Sequence, residues 1–206
     1  MKSKADMSGG AGKTIVFLLL LFALGPVCPL VFGQSSVPFV ETFDGLTVGD
    51  LGSQNNWFSA PSSQVLVETS SVYVGTQAAG GRTNSIMRQA FAGAPATNVW
   101  VDFYVFGHRG GGPEPALNAD AAAGFYIDQN GHVVAWDSSA WITNAIYTVP
   151  TNAWRRFTVH LDYGTSKWGI YMAGDQPNAL SAPVFTNLSF MATTTNTYFQ
   201  RFSFEN

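Results

Sequence analysis

The chain has 206 residues, 46% of them hydrophobic and 11% charged, and a formal net charge of −3. Without a basic surplus it lacks the electrostatic footprint of a nucleic-acid binder, so nucleic acid is excluded as a partner. A single cysteine, Cys28, excludes an internal disulfide, and His108, His132 and His160 lie too far apart for a ligand motif.

Lys2, Lys4 and Lys13 precede an apolar run over Thr14–Leu24. Gly25, Pro26 and Pro29 then break the run, and Val31-Phe32-Gly33 sets a small residue before a cut at Gln34. Basic, apolar and cleavage regions in this order predict a secretory signal peptide over 1–33 and a product that is secreted, cell-surface or periplasmic. A retained anchor would need roughly 20 apolar residues, and two prolines and a glycine spoil the second half of the 14–32 stretch. Membrane contact is then confined to the leader during export. Without the leader's three lysines and one aspartate, seven basic and twelve acidic residues remain, a net charge of about −5. Lys167 is then the only lysine, and residues 34–206 hold no cysteine, so a single core must hold the domain together.

From here short segments rich in Val, Ile, Phe, Tyr and Trp alternate with turn residues, the pattern of antiparallel hairpins. Strands are predicted at Val37–Phe43, Gln64–Thr69, Val72–Ala78, Ser85–Phe91 and Asn98–Phe106. A long loop, Leu46–Pro61, separates the first two, and a Gly/Pro-rich excursion follows over Gly107–Asp120. Further strands are predicted at Gly124–Asp128, His132–Trp136, Ile146–Val149, Trp154–Tyr163, Lys167–Ala173, Pro183–Phe190 and Tyr198–Glu205. No helical apolar stripe stands outside the leader. About twelve strands in one domain imply two stacked sheets.

The opening FVETFDGLTVGDLGSQNNW, the hairpin NAWRRFTVHLDYGTSKWGIYMAG and the closing TYFQRFSF carry a resemblance to a known superfamily. The hairpin is similar to a W-x-x-F-x-V-x-x-D-Y-x-x-x-x-W-x-x-Y pattern, with Trp154, Phe157, Asp162, Tyr163, Trp168 and Tyr171 in place. On these residues the chain resembles the concanavalin A-like lectin/glucanase superfamily, and within it the laminin G-like domains of exported bacterial proteins. The resemblance implies an all-β, two-sheet antiparallel jelly-roll sandwich whose last strand returns beside the first. It leaves the activity open, since that fold hosts lectins, hydrolases and adhesive modules. Where similar domains carry an acidic pair in the last strand, Gln200 and Arg201 stand here.

Strand parity points to a surface. Val99, Val101, Phe103 and Val105 form one face of their strand, with Trp100, Asp102, Tyr104 and Phe106 on the other. Phe157, Val159 and Leu161 likewise oppose Thr158, His160 and Asp162; Tyr126 and Asp128 oppose Ile127, and His132 and Trp136 oppose Val133 and Ala135. If these strands share a sheet, its outer face is aromatic and polar. Sugars fit such a face, because axial C–H patches stack on rings while hydroxyls bond to Asp, His and Asn. The candidate carbohydrate-binding residues are Trp100, Asp102, Tyr104, Tyr126, Asp128, Trp136, Asp137, Trp141, His160 and Asp162. The alternative is that these rings sit under loops and fill a second core, with one tryptophan of the Trp136–Trp141 segment plugging the end.

A glycosidase of this fold needs two carboxylates in one cleft, about 5–5.5 Å apart for a retaining reaction. No two acids here stand at i, i+2, so only a cross-strand pair such as Asp102 and Asp162 remains for catalysis. No cofactor is required. For a metal, the resemblance suggests calcium, and Glu41, Asp44 and Asp50 around the first long loop are its candidate oxygen ligands. The predicted partner is a poly- or oligosaccharide; a protein partner recognised by a purely structural or adhesive module is the rival.

Overall fold

A computed structural model of the chain describes residues 34–92, 95–107, 114–118, 120–174 and 181–205. The predicted leader over 1–33, Cys28 within it, and His108-Arg109 of the excursion lie outside the described residues.

The described chain is all-β, with thirteen strands and one 3-10 turn at Gln54–Asn56. They are β1 (Gly49–Asp50), β2 (Trp57–Ala60), β3 (Val65–Glu68), β4 (Ala78–Gly81), β5 (Ile86–Ala90), β6 (Asn98–Phe106) and β7 (Phe125–Ile127). Then follow β8 (His132–Asp137), β9 (Ala140–Thr148), β10 (Trp154–Asp162), β11 (Lys167–Ala173), β12 (Ala182–Ser189) and β13 (Arg201–Glu205). They assemble into four antiparallel sheets ordered β1-β3-β4, β12-β11-β10-β6, β13-β5-β2 and β7-β8-β9. No described helix is long and apolar enough to cross a membrane.

The apolar parity of the longer strands aims their large side chains at one shared core. Val99 and Val105 of β6, Phe157, Val159 and Leu161 of β10, and Trp168 and Ile170 of β11 are buried together with Phe125, Ile127, Val133 and Ala135 of β7 and β8. Four phenylalanines join three of the sheets. Phe103 meets Phe204 of β13 edge-on at 4.9 Å and lies 6.0 Å from Phe157, which in turn is 5.5 Å from Phe125.

Several predicted elements differ, among them the loop predicted at Leu46–Pro61, which contains the strands β1 and β2. Val37–Phe43 forms no strand: Pro38 has no amide proton to donate to a ladder, and Phe43 turns to φ 64°. Its alternation serves packing instead, with Phe39 edge-on to Phe91 at 5.5 Å and Phe43 5.7 Å from Trp57. Val72–Ala78 is bent rather than extended, because Asp44 captures the amides of Thr76 and Gln77 that a strand would offer to a neighbour. The strand forms just beyond, at Ala78–Gly81, where small residues let Glu68 lie against Gly80. The last strand pairs with β5 and not with the opening segment. That segment instead touches β5 at one parallel bridge, Ser35 to Phe91, where Ser35 donates to Ala90 and accepts from Ala92 and the buried Gln89 side chain. The short strand predicted at Ile146–Val149 is the end of a nine-residue β9, which closes a two-residue turn at Ser138-Ser139.

Candidate functional site

β6 and β10 pair with Asn98 beside Asp162, Trp100 beside His160, Asp102 beside Thr158, Tyr104 beside Arg156 and Phe106 beside Trp154. Partners across an antiparallel pair share a face, and the opposite parity of both strands is in the core. Five candidates, Trp100, Asp102, Tyr104, His160 and Asp162, are therefore brought together on the outer face of this sheet.

That face has three zones. At one end Trp100 is 57% exposed. Its indole stacks on His160 at 4.1 Å and 14°, and Tyr171 leans toward it at 5.8 Å. His160 Nε2 is 2.9 Å from Asn98 Oδ1. Gly169 stands opposite His160 on β11, where a side chain would press on the Phe185 backbone carbonyl of β12. In the middle, Asp102 accepts from Arg156 Nε at 2.9 Å, Arg156 NH2 at 2.7 Å and Thr158 Oγ1 at 2.8 Å. The Asp102 carboxylate raises the pKa of the Arg156 guanidinium. At the far end Tyr104 is covered: Tyr73, from the loop before β4, stacks on it at 4.0 Å and 18° and meets Trp154 at 5.7 Å.

The remaining candidates lie on a different sheet. Tyr126, Trp136 and Trp141 belong to β7, β8 and β9, so the expected single aromatic surface divides in two. Trp136 and Trp141 are cross-strand partners on a hairpin. Trp141 stands edge-on to Trp136 at 5.2 Å and to Tyr126 at 4.9 Å. Ring centroids so close are in contact and leave no slot for a sugar between them. Trp141 packs, with Leu117 and Met191, against the buried Ala121, and the Trp136 indole N–H is buried without an acceptor among the described residues. Burial, followed by the charges of Glu114 and Asp128, raises the Tyr126 phenol above its ordinary pKa. Trp136 and Trp141 are both half-buried.

The predicted carboxylates act mainly on the protein's own loops. Asp162 caps the β10–β11 turn, accepting from Gly164 N, Thr165 N and Thr165 Oγ1; the Thr165 hydroxyl is the main cause of its lowered pKa. Asp128 holds the β7–β8 turn through Asn130 N, His132 N and the His132 ring, and Asp137 accepts Ser189 N of β12.

The three acids proposed for a metal are likewise engaged, each at a different clasp. Glu41 accepts Phe43 N, Asn55 Nδ2 and the Trp57 indole. Asp44 accepts Thr76 N, Thr76 Oγ1 and Gln77 N, and the Thr76 amide leads in lowering its pKa. Asp50 accepts Gly52 N, Ser59 Oγ and Ser63 N, with the Gly52 amide as the first cause of its lowering. Among the described residues no three His, Cys, Asp or Glu side chains gather as a metal would need.

Asn98, Arg156, Tyr171 and Tyr73 also shape the face. The first three share the outward parity of their strands, though none was singled out from the sequence as a site residue. Tyr73 carried no such signal, because its neighbours were read as a strand. On the outer side of β5 and β13, burial and then Arg88 push the Arg201 guanidinium down to about 10, and burial pushes the Glu205 carboxyl up. An open cleft of about 390 Å³ beyond the β10–β11 turn is lined by Thr165, Ser166, Lys167, Ser189, Phe190 and Met191, among others.

No family model matches the chain, and neither the curated proteins nor the solved structures include one detectably similar to it.

Proposed function

We propose that the protein is an exported, non-catalytic carbohydrate-binding or surface-recognition module, built as a jelly roll of the concanavalin A-like, laminin G-like kind. The observation that carries this reading is the open indole of Trp100, braced by His160 and flanked on its own strand by Asn98 and Asp102. An exposed, flat, braced ring with polar groups at both sides suits a sugar's C–H patch and its hydroxyls. Asn98, His160 and Tyr171 would meet hydroxyls. Asp102, already bound by Arg156 and Thr158, serves mainly to hold the middle of the face in shape. Calcium is not needed by this reading, because Glu41, Asp44 and Asp50 already serve the loops.

Catalysis is the weaker reading. Asp162 faces Asn98, so Asp102 stands four residues along the strand, about 13 Å away, beyond the roughly 6.5–9.5 Å of an inverting pair. The structural or protein-binding reading draws on the covered Tyr104 end and the carboxylates committed to loops.

Affinity electrophoresis against a panel of soluble polysaccharides, with calcium and with chelator, tests the proposal. Retardation by one or a few polymers, unaffected by chelator and lost in Trp100→Ala, is expected. A folded β-rich protein that no polymer retards would move the assignment to a protein partner.

A further inference from the structure

Both ring partners of Trp100 come from the same side. His160 lies on β10 and Tyr171 on β11, while β6 ends the order of its sheet. The stack on His160 is nearly parallel and runs from strand to strand, so the planes of the two rings stand across that direction. The uncovered face of the indole therefore looks outward past the β6 edge. Asn98 and Asp102, two residues before and after it on the same face, are exposed there too, each about 7 Å along the strand.

The next ring along β6 is Tyr104, about 13 Å further on, and its neighbourhood is filled by the protein itself. Tyr73 stacks on Tyr104, Trp154 lies against Tyr73, and Phe106 is 5.4 Å from Trp154. Asp44 holds the loop that delivers Tyr73 through Thr76 and Gln77. Tyr73 thus takes the place that a second sugar stacked on this row would occupy.

We infer that the site takes one pyranose ring, stacked on Trp100 and hydrogen-bonded at Asn98, so that the protein reads a chain end or a single side-branch sugar and not a run of residues within a polysaccharide. The inference rests on the carbohydrate reading above and adds the class of ligand.

The test is titration of the purified protein, followed by tryptophan fluorescence and calorimetry. The probes are glucose, galactose and N-acetylglucosamine, then the linear oligomers of whichever sugar binds, in order of increasing length. Affinity constant within about twofold across the series is expected, and Tyr73→Ala, which uncovers Tyr104, should make affinity climb with length by about tenfold. A tenfold climb in the parent protein overturns the single-sugar inference and leaves carbohydrate binding standing. A flat series in Tyr73→Ala overturns the role given to Tyr73. If none of the sugars or oligomers binds while an unbranched polysaccharide is retarded, the site reads internal chain and the inference fails alone. If neither sugars nor polysaccharides bind, the carbohydrate reading falls with it.

Discussion

Replacing Trp141 with alanine separates the two aromatic clusters. The indole makes two edge-to-face contacts, with Tyr126 at 4.9 Å and Trp136 at 5.2 Å. Each such pair is worth about 0.5–1.5 kcal/mol beyond the area it buries, so losing both costs about 1–3 kcal/mol. Full burial of a large apolar side chain contributes about 1.5–3 kcal/mol, so this half-buried one adds about 1 kcal/mol. The expected loss is about 2–4 kcal/mol, or a Tm lowered by roughly 5–15 °C for a domain of this size. Urea and thermal unfolding followed by circular dichroism would read it. Trp100→Ala, at an exposed position, should cost less than about 1 kcal/mol. The reasoning is refuted if Trp141→Ala costs under about 1 kcal/mol and weakens polysaccharide retardation as much as Trp100→Ala does, for Trp141 would then be a ligand rim.

Asp44, Asp50 and Asp162 all have folded-state pKa values below their ordinary ones, because amides and hydroxyls donate to the ionised form. Their contribution is therefore fully present above the ordinary carboxylate range and lost as pH falls through the lowered folded values; stability measured by urea midpoint should drop below about pH 4, and less steeply in Asp44→Asn. Tyr163 has the opposite sign, since burial raises its phenol: the unfolded chain ionises first, so stability falls as pH passes about 10, and ultraviolet titration should show one of the seven tyrosines ionising only with unfolding. Gly75 adopts φ 88°, and a methyl group there would collide with the Asp44 carboxylate, so Gly75→Ala should raise proteolytic cutting near residues 71–77 while the core's unfolding midpoint stays within about 1–2 kcal/mol of the parent's.

How far the sequence was legible depended on what each segment's side chains do. Asn98–Phe106 was read to the residue because buried or half-buried and outward-facing side chains alternate along it, and Lys167–Ala173 because its Trp, Ile and Tyr are bounded by turn residues on both sides. Ala78–Gly81 was illegible: its small residues are there to admit Glu68 and show no apolar period. Val37–Phe43 misled for the opposite reason, having a strand's alternation without a strand's partner. The outer face of β6 and β10 followed from parity, yet which strands share a sheet is a matter of long-range pairing, so Trp100 and Trp136 were joined on one surface that the fold divides. The acids were read as ligand groups because an exposed Asp beside a turn has the same sequence whether it binds a hydroxyl from outside or an amide from its own loop.

Those acids have a bearing on how the molecule matures. The loops at Glu41, Asp44, Asp50, Asp128, Asp137 and Asp162 are all fastened by carboxylates, in a chain whose single cysteine cannot form a bridge within itself. A covalent staple would require an oxidant and a reshuffling step, and would open only by chemistry. Carboxylate clasps ask only for a pH at which they are ionised, close as fast as the chain can bring them together, and reopen without damage. Such a protein can loosen the loops held by Asp44, Asp50 and Asp162 in an acid interval and regain them in neutral water unaided, with no oxidant needed to fasten them.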